Sequence, residues 1–125
     1  MNQIKTKKKL TELEYFEKIE SLNTKKLNII YPYKLATWKG SNYIKNLLDI
    51  VKNKKIKIFI NCEDDLNLVL ELIQLRIERI IYSNKNETVA RKVKSLAKKY
   101  GVKIFDLDTI SKNKIQDFRF MEENL

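Results

Sequence analysis

Four short β-type runs recur along this chain, each separated from the next by a segment with helical spacing. They are residues 27–31 (LNIIY), about 56–61 (IKIFIN), 79–83 (RIIYS) and 102–107 (VKIFDL). All are rich in Ile, Val, Phe or Tyr, which suit a pleated, half-buried surface. Helical apolar spacing fills the intervals at 12–22, 42–53, 64–76 and from 84 to 100. Strict alternation with short connections implies right-handed βαβ units, parallel pairing and a sheet covered on both faces. The expected fold is a small three-layer α/β domain with a four-stranded, mainly parallel sheet and helices on both faces.

Local signals set the expected boundaries. Residues 1–10 form a basic, flexible arm, and 11–125 form one domain. Thr11 and Glu14 make a capping-box pattern, and Pro32 stops the first strand. The stretch PYKLATWKG (32–40) reads as a loop, after which Ser41 caps a helix. Asp64 reads as the cap of helix 64–76. Asn84 and Glu87 form a capping pair, and Gly101 sits where a left-handed C-terminal cap belongs. In the tail, Ile115, Phe118 and Met121 allow a short helix. The βαβ units resemble those of Rossmann-like and flavodoxin-like domains.

The helix over 64–76 is unusually apolar. Asn67, Glu71 and Gln74 make a narrow polar strip, and Leu or Ile fills most of the remaining circumference. Two coverings are open: helix 12–22 or the tail of this chain, or a second copy of it in a homodimer. Arg76, near the helix end, can meet backbone carbonyls there.

Composition removes whole classes of chemistry. There is no histidine and a single cysteine, Cys62. Ser-His-Asp and Cys-His nucleophiles, His-containing metal sites and a Cys-type zinc site are therefore excluded. With only Gly40 and Gly101, neither a Walker loop nor a GxGxxG turn can be written. One thiol permits no internal disulfide and fits a reducing, cytoplasmic setting. No apolar run approaches the roughly 20 residues that cross a bilayer, so no membrane partner is expected. The formal charge of +10 comes from 22 Lys and 4 Arg, alongside 16 Ile and 12 Asn. These residue types share A/T-rich codons, so an AT-rich, bacterial-type genome accounts for much of the lysine. The lysines are also dispersed along the chain, which favours a solvated basic surface over specific nucleic-acid recognition.

In a parallel α/β sheet, ligands bind beyond the carboxyl ends of the strands. Tyr33, Trp38, Lys39, Gly40 and Ser41 follow the first strand, and Ser83 and Asn84 follow the third. These are the candidate ligand-binding residues. Trp38 offers a flat apolar face, while a lysine and a hydroxyl entering a helix can hold an anion. Glu63, Asp64 and Asp65 follow the second strand, and Asp106 and Asp108 follow the fourth. Glu63 with Asp106-x-Asp108 resembles the Toprim arrangement over residues 56–109, although Asp64 stands where that family carries glycine. The resemblance implies Mg²⁺ held by Glu63, Asp106 and Asp108 and a phosphoryl-transfer or nuclease-like reaction. FDLDTI (105–110) also resembles the haloacid-dehalogenase nucleophile motif, but Thr109 comes one residue early and too little chain follows.

The residues point first to a non-catalytic module, self-associating or binding an anionic ligand at the strand carboxyl edge, with no cofactor. The Mg²⁺ enzyme is the first alternative, and a lysine-mediated nucleic-acid accessory protein is the second.

Overall fold

The computed structural model describes residues 12–22, 27–51, 56–112 and 118–120. The expected basic arm, Thr11, Ile115 and Met121 lie outside them. The elements run α1 (Glu12–Leu22), β1 (Leu27–Tyr31), α2 (Tyr33–Lys39), α3 (Ser41–Ile50), β2 (Ile56–Asn61), α4 (Leu66–Gln74), β3 (Arg79–Ile81), α5 (Glu87–Lys99), β4 (Lys103–Phe105), α6 (Leu107–Lys112) and β5 (Phe118–Phe120). Every described strand pairing is parallel, in the order β4-β3-β2-β1-β5. The α/β class and parallel sheet follow from the alternation, but the sheet has a fifth strand. Phe118, Arg119 and Phe120 pair with β1 rather than joining a tail helix. This order is also neither the Rossmann nor the flavodoxin order. Among the described residues, no helix is long and apolar enough to cross a membrane.

Strand direction decides where the helices go. From β1 to β4 each new strand is added on the same side of the last. Right-handed crossovers then place all the intervening helices on one face. Side-chain alternation agrees with this. Ile29, Tyr31, Ile58, Ile60, Ile80 and Tyr82 share one buried cluster with residues of α1 to α5. Ile30, Phe59 and Ile81 belong to a smaller cluster with Ile110 of α6 and with Phe105 and Leu107 packed against it. The three layers are therefore unequal, with α6 alone forming the thin one among the described helices.

This asymmetry accounts for the apolar helix. α4 packs between α3 and α5. Leu68, Val69, Leu72 and Ile73 are buried, and Leu70 and Leu75 pack half-buried against the core. Leu66, 40 % exposed, is the one exposed large apolar side chain on α4. Much of the surface that suggested a homodimer through 64–76 is thus covered within the chain, with α3 and α5 lying against α4.

Several boundaries differ from the sequence expectation, each for a local reason. Residues 33–39 form α2, because Leu35 and Ala36 bury against the core behind Pro32. The next helix starts at Ser41 itself, with Gly40 as its N-cap and no side-chain cap bond. Gly40 adopts φ 90° and ψ 161°, a conformation that side-chain-bearing residues rarely take. Asp65, not Asp64, caps α4, its Oδ1 accepting from the Leu68 N–H at 3.0 Å. Asn86, not Asn84, caps α5, accepting from Thr88 and Val89. Gly101 adopts the expected positive φ, 73°.

α4 and α5 end alike. In each, the N–H two residues past the C-cap reaches back across the last turn: Ile77 to Leu72 at 3.0 Å, and Val102 to Ala97 at 2.9 Å. This is the Schellman closure, which favours glycine at the left-handed position. α5 has Gly101 there, whereas α4 has Arg76 at φ 59°. Arg76 offsets its strain by donating from Nη1 to the Tyr100 carbonyl at 3.1 Å and stacking over the Tyr100 ring at 5.0 Å.

Because α4 is internal, truncating Leu72 to Ala is expected to cost about 2–5 kcal/mol in denaturant unfolding. Leu66→Ala is expected to cost less than about 1 kcal/mol in the same experiment. Equal, small losses at both positions would contradict the internal position of α4.

Candidate functional site

Four loops meet at the carboxyl edge of the sheet, and their polar groups are largely engaged with one another. Glu63 follows β2 in a left-handed turn at φ 51°. Its N–H donates to Asn61 Oδ1 at 3.0 Å, and its carbonyl accepts from the Ser83 N–H at 3.0 Å. Asn84 donates from Nδ2 to the Tyr82 hydroxyl and accepts at Oδ1 from the Asn86 N–H. Ser83 and Asn84 therefore shape the approach to α5, and Asn84 has its amide committed on both sides.

The acids do not assemble into a metal centre. Among the described residues, no group of three or more His, Cys, Asp or Glu side chains is placed to hold a metal ion. Asp106 accepts at Oδ1 from the Asp108 N–H at 2.8 Å, and its carbonyl accepts from Ile110, so it caps α6. Asp108 lies in the first turn of that helix. Glu63 leaves β2, which β3 separates from β4. The Mg²⁺ arrangement expected from Glu63, Asp106 and Asp108 is not formed.

These acids also give the edge a sign. Glu63, Asp64, Asp65, Asp106 and Asp108 face it, with Lys85 among the same loops and Lys34 in the first turn of α2. The N-termini of α4, α5 and α6, which would otherwise attract an anion, are already occupied by Asp65, Asn86 and Asp106. An anionic ligand at the edge would meet carboxylates on most sides.

Tyr33 stands at the start of α2 and donates its hydroxyl to Asp65 Oδ2 at 2.7 Å. That hydrogen bond, followed by burial and neighbouring carboxylates, pushes the phenol up to about 12. One carboxylate thus caps α4 and ties α2 to it. Cys62 is fully buried, and burial together with Asp65 pushes its thiol well above the ordinary range. It is an inert packing residue of the main cluster rather than a nucleophile.

Trp38, Lys39, Gly40 and Ser41 lie elsewhere. α2 carries the chain about 10 Å away from Tyr33 along its seven residues before Gly40 turns it into α3. At this corner Trp38 is 73 % exposed and Tyr43 36 % exposed. Lys39 Nζ lies 4.5 Å from the Trp38 ring centroid and 5.1 Å from that of Tyr43. No ion pair joins Lys39 to a carboxylate among the described residues. The candidate ligand residues thus divide into an acidic edge, with Tyr33, Ser83 and Asn84, and a cationic aromatic corner, with Trp38, Lys39, Gly40 and Ser41.

Tyr43 links this corner to a polar group that the sequence reading missed. Glu12 is 5 % exposed and accepts from the Tyr31 hydroxyl at 3.1 Å and from the Tyr43 hydroxyl. Burial, then the Glu12 carboxylate, raises the Tyr31 phenol far above its ordinary value. Burial and the Glu12 hydrogen bond raise Tyr43 also. No local pattern marks Glu12, because its partners are 19 and 31 residues away.

A cleft of about 720 Å³ opens at the opposite, amino edge, lined by Lys45, Leu48, Ile56, Arg79 and Tyr100 among others. Its charges are largely paired. Lys45 meets Asp49 at 3.2 Å, Arg79 meets Glu78 at 2.7 Å, and Arg76 bonds the Tyr100 carbonyl. The C-terminal ends of α3, α4 and α5 converge on it, so these cations answer the helix dipoles.

No family model, curated protein or solved structure matches this chain.

The Tyr33–Asp65 bond has a pH signature. A tyrosine raised from 10.0 to about 12 contributes stability that is present below pH 10 and lost as the pH climbs through 12. Alkaline titration followed by phenolate absorbance is expected to show Tyr33 ionising near 12 in the folded protein. Asp65→Ala should return it toward 10 and cost about 0.5–2 kcal/mol through the lost cap. An unchanged Tyr33 titration in that variant would refute the bond.

Proposed function

We propose that this protein is a non-catalytic α/β binding module that takes an anionic ligand at the α2–α3 corner, not at the carboxyl edge. The observation that carries this reading is Lys39, an ammonium held between the exposed Trp38 and Tyr43 rings without a carboxylate partner among the described residues. An ammonium over two aromatic faces is oriented yet remains available to an incoming anion. The start of α3 supports it, since Gly40 brings no side chain to the first N–H groups. The reading as a binder rather than an enzyme rests on Asp65 and Asp106, whose carboxylates serve as helix caps. A lone, buried Cys62 is compatible with a reducing, cytoplasmic setting.

Calorimetric titration with inorganic tripolyphosphate tests the location. Binding is expected for the native chain and for Lys85→Glu, and should weaken by about tenfold or more in Lys39→Glu, as loss of a charge-assisted contact predicts. Absence of binding at low salt, or loss in Lys85→Glu with Lys39→Glu unaffected, would overturn the assignment.

A further inference from the structure

Resting on the reading of the corner as an anion-binding surface, we propose that its ligand is single-stranded nucleic acid. Bases stack on Trp38 and Tyr43 while Lys39 meets the intervening phosphate. The two rings flank one ammonium, at 4.5 and 5.1 Å. Alternating aromatic faces and cations are what an unpaired strand requires, because every base has a π face and every linkage a charge.

The surroundings favour a strand over other occupants. Trp38, Lys39 and Tyr43 lie apart from the residues that line the amino-edge cleft. With Trp38 73 % exposed, the corner presents an open ring face, unlike the enclosed cavities that bury most of a small ligand. Charge complementarity is long-range as well as local, since the chain carries +10 overall. A duplex keeps its bases stacked inside, out of reach of the rings.

A second copy of the chain fits poorly. With Trp38 73 % and Tyr43 36 % exposed, the aromatic surface available is of order 250 Å², against roughly 800 Å² per partner in a stable interface. It would also oppose Lys39 to its own copy. An anionic bilayer needs an apolar helix face, but Leu35, Ala36, Ile44 and Leu47 all turn into the core.

Trp38 is the sole tryptophan, so its fluorescence reports directly on the corner. Titration with a thymidine oligonucleotide at low salt is expected to give saturable quenching. Affinity should fall as salt rises, with a log–log slope near −0.7 per phosphate contacted. By anisotropy of a labelled oligonucleotide, Trp38→Ala should bind about five- to hundredfold more weakly, the range for one stacked base. Tyr43→Ala should weaken it in the same direction and Tyr43→Phe, which keeps the ring, much less. Circular dichroism checks that each variant is folded.

Absent quenching, equal quenching by a duplex, or unchanged affinity in folded Trp38→Ala would overturn the proposal. So would a blue shift on phosphatidylglycerol vesicles, or on concentrating the protein, with no response to the oligonucleotide. Tripolyphosphate binding that depends on Lys39 without oligonucleotide quenching would sink the nucleic-acid assignment and leave the anion-binding reading standing. Failure of both would remove both.

Discussion

The organisation of this protein depends on one constraint: from β1 to β4, every crossover advances the sheet in the same direction. Right-handed connections then put the intervening helices on one face. α4 becomes an inner helix between α3 and α5, which is why it can be apolar around most of its circumference. Burying four large aliphatic side chains of α4 stabilises the domain by roughly 1.5–3 kcal/mol each. The same constraint leaves the other face to the small cluster beneath α6. The β1–β2 connection also differs from its neighbours. It uses two helices where the next two crossovers use one each. The surplus helix, α2, and the Gly40 turn generate the projecting aromatic corner.

Electrostatics then divides the molecule. A chain with net charge +10 presents carboxylates at the strand ends and the Lys39 ammonium at the α2–α3 corner. The acids are largely accounted for by helix starts: Asp65 for α4, Asp106 for α6, and Asp108 within the first turn. Each capping carboxylate is stabilised by the N–H groups that it satisfies. Their gathering at one edge follows from parallel strands, which bring every following helix start to the same side. Fold geometry therefore opposes the usual anion site of a parallel sheet, and Lys39 stands outside that acidic field.

Much of this architecture was legible in the sequence. The four runs of β-branched residues correspond to β1 to β4, and α1 runs over 12–22 as its spacing implied. Gly101 was legible because left-handed closure of a helix strongly prefers glycine. Arg76 was readable in part: a cation near a helix end suggested carbonyl contact, while its own left-handed backbone was not apparent. α2 escaped because two turns give too few apolar repeats, and Pro32, Gly40 and two aromatics, Tyr33 and Trp38, read as a loop. β5 escaped because Phe118, Arg119 and Phe120 are too short to separate period two from helical spacing.

The candidate site was less legible than the fold. Residue types at strand ends suggested one pocket, but helix length decides how far apart those residues finally stand. Trp38 and Ser83 follow parallel strands in the sequence, yet α2 moves Trp38 about 7.5 Å along its axis, a displacement that no motif records. Glu12, Tyr31 and Tyr43 come from three separate elements, so the network around the buried Glu12 carboxylate exists only once α1 is docked. The central claim is the division between an acidic edge and a cationic corner. Amide-proton relaxation by small anionic and cationic nitroxide probes measures it directly. The account predicts that the anionic probe enhances relaxation at residues 38–43 over 63–65 and 106–108, and that the cationic probe reverses the order. Equal responses at both places, or preference of the anionic probe for the carboxyl edge, would contradict it.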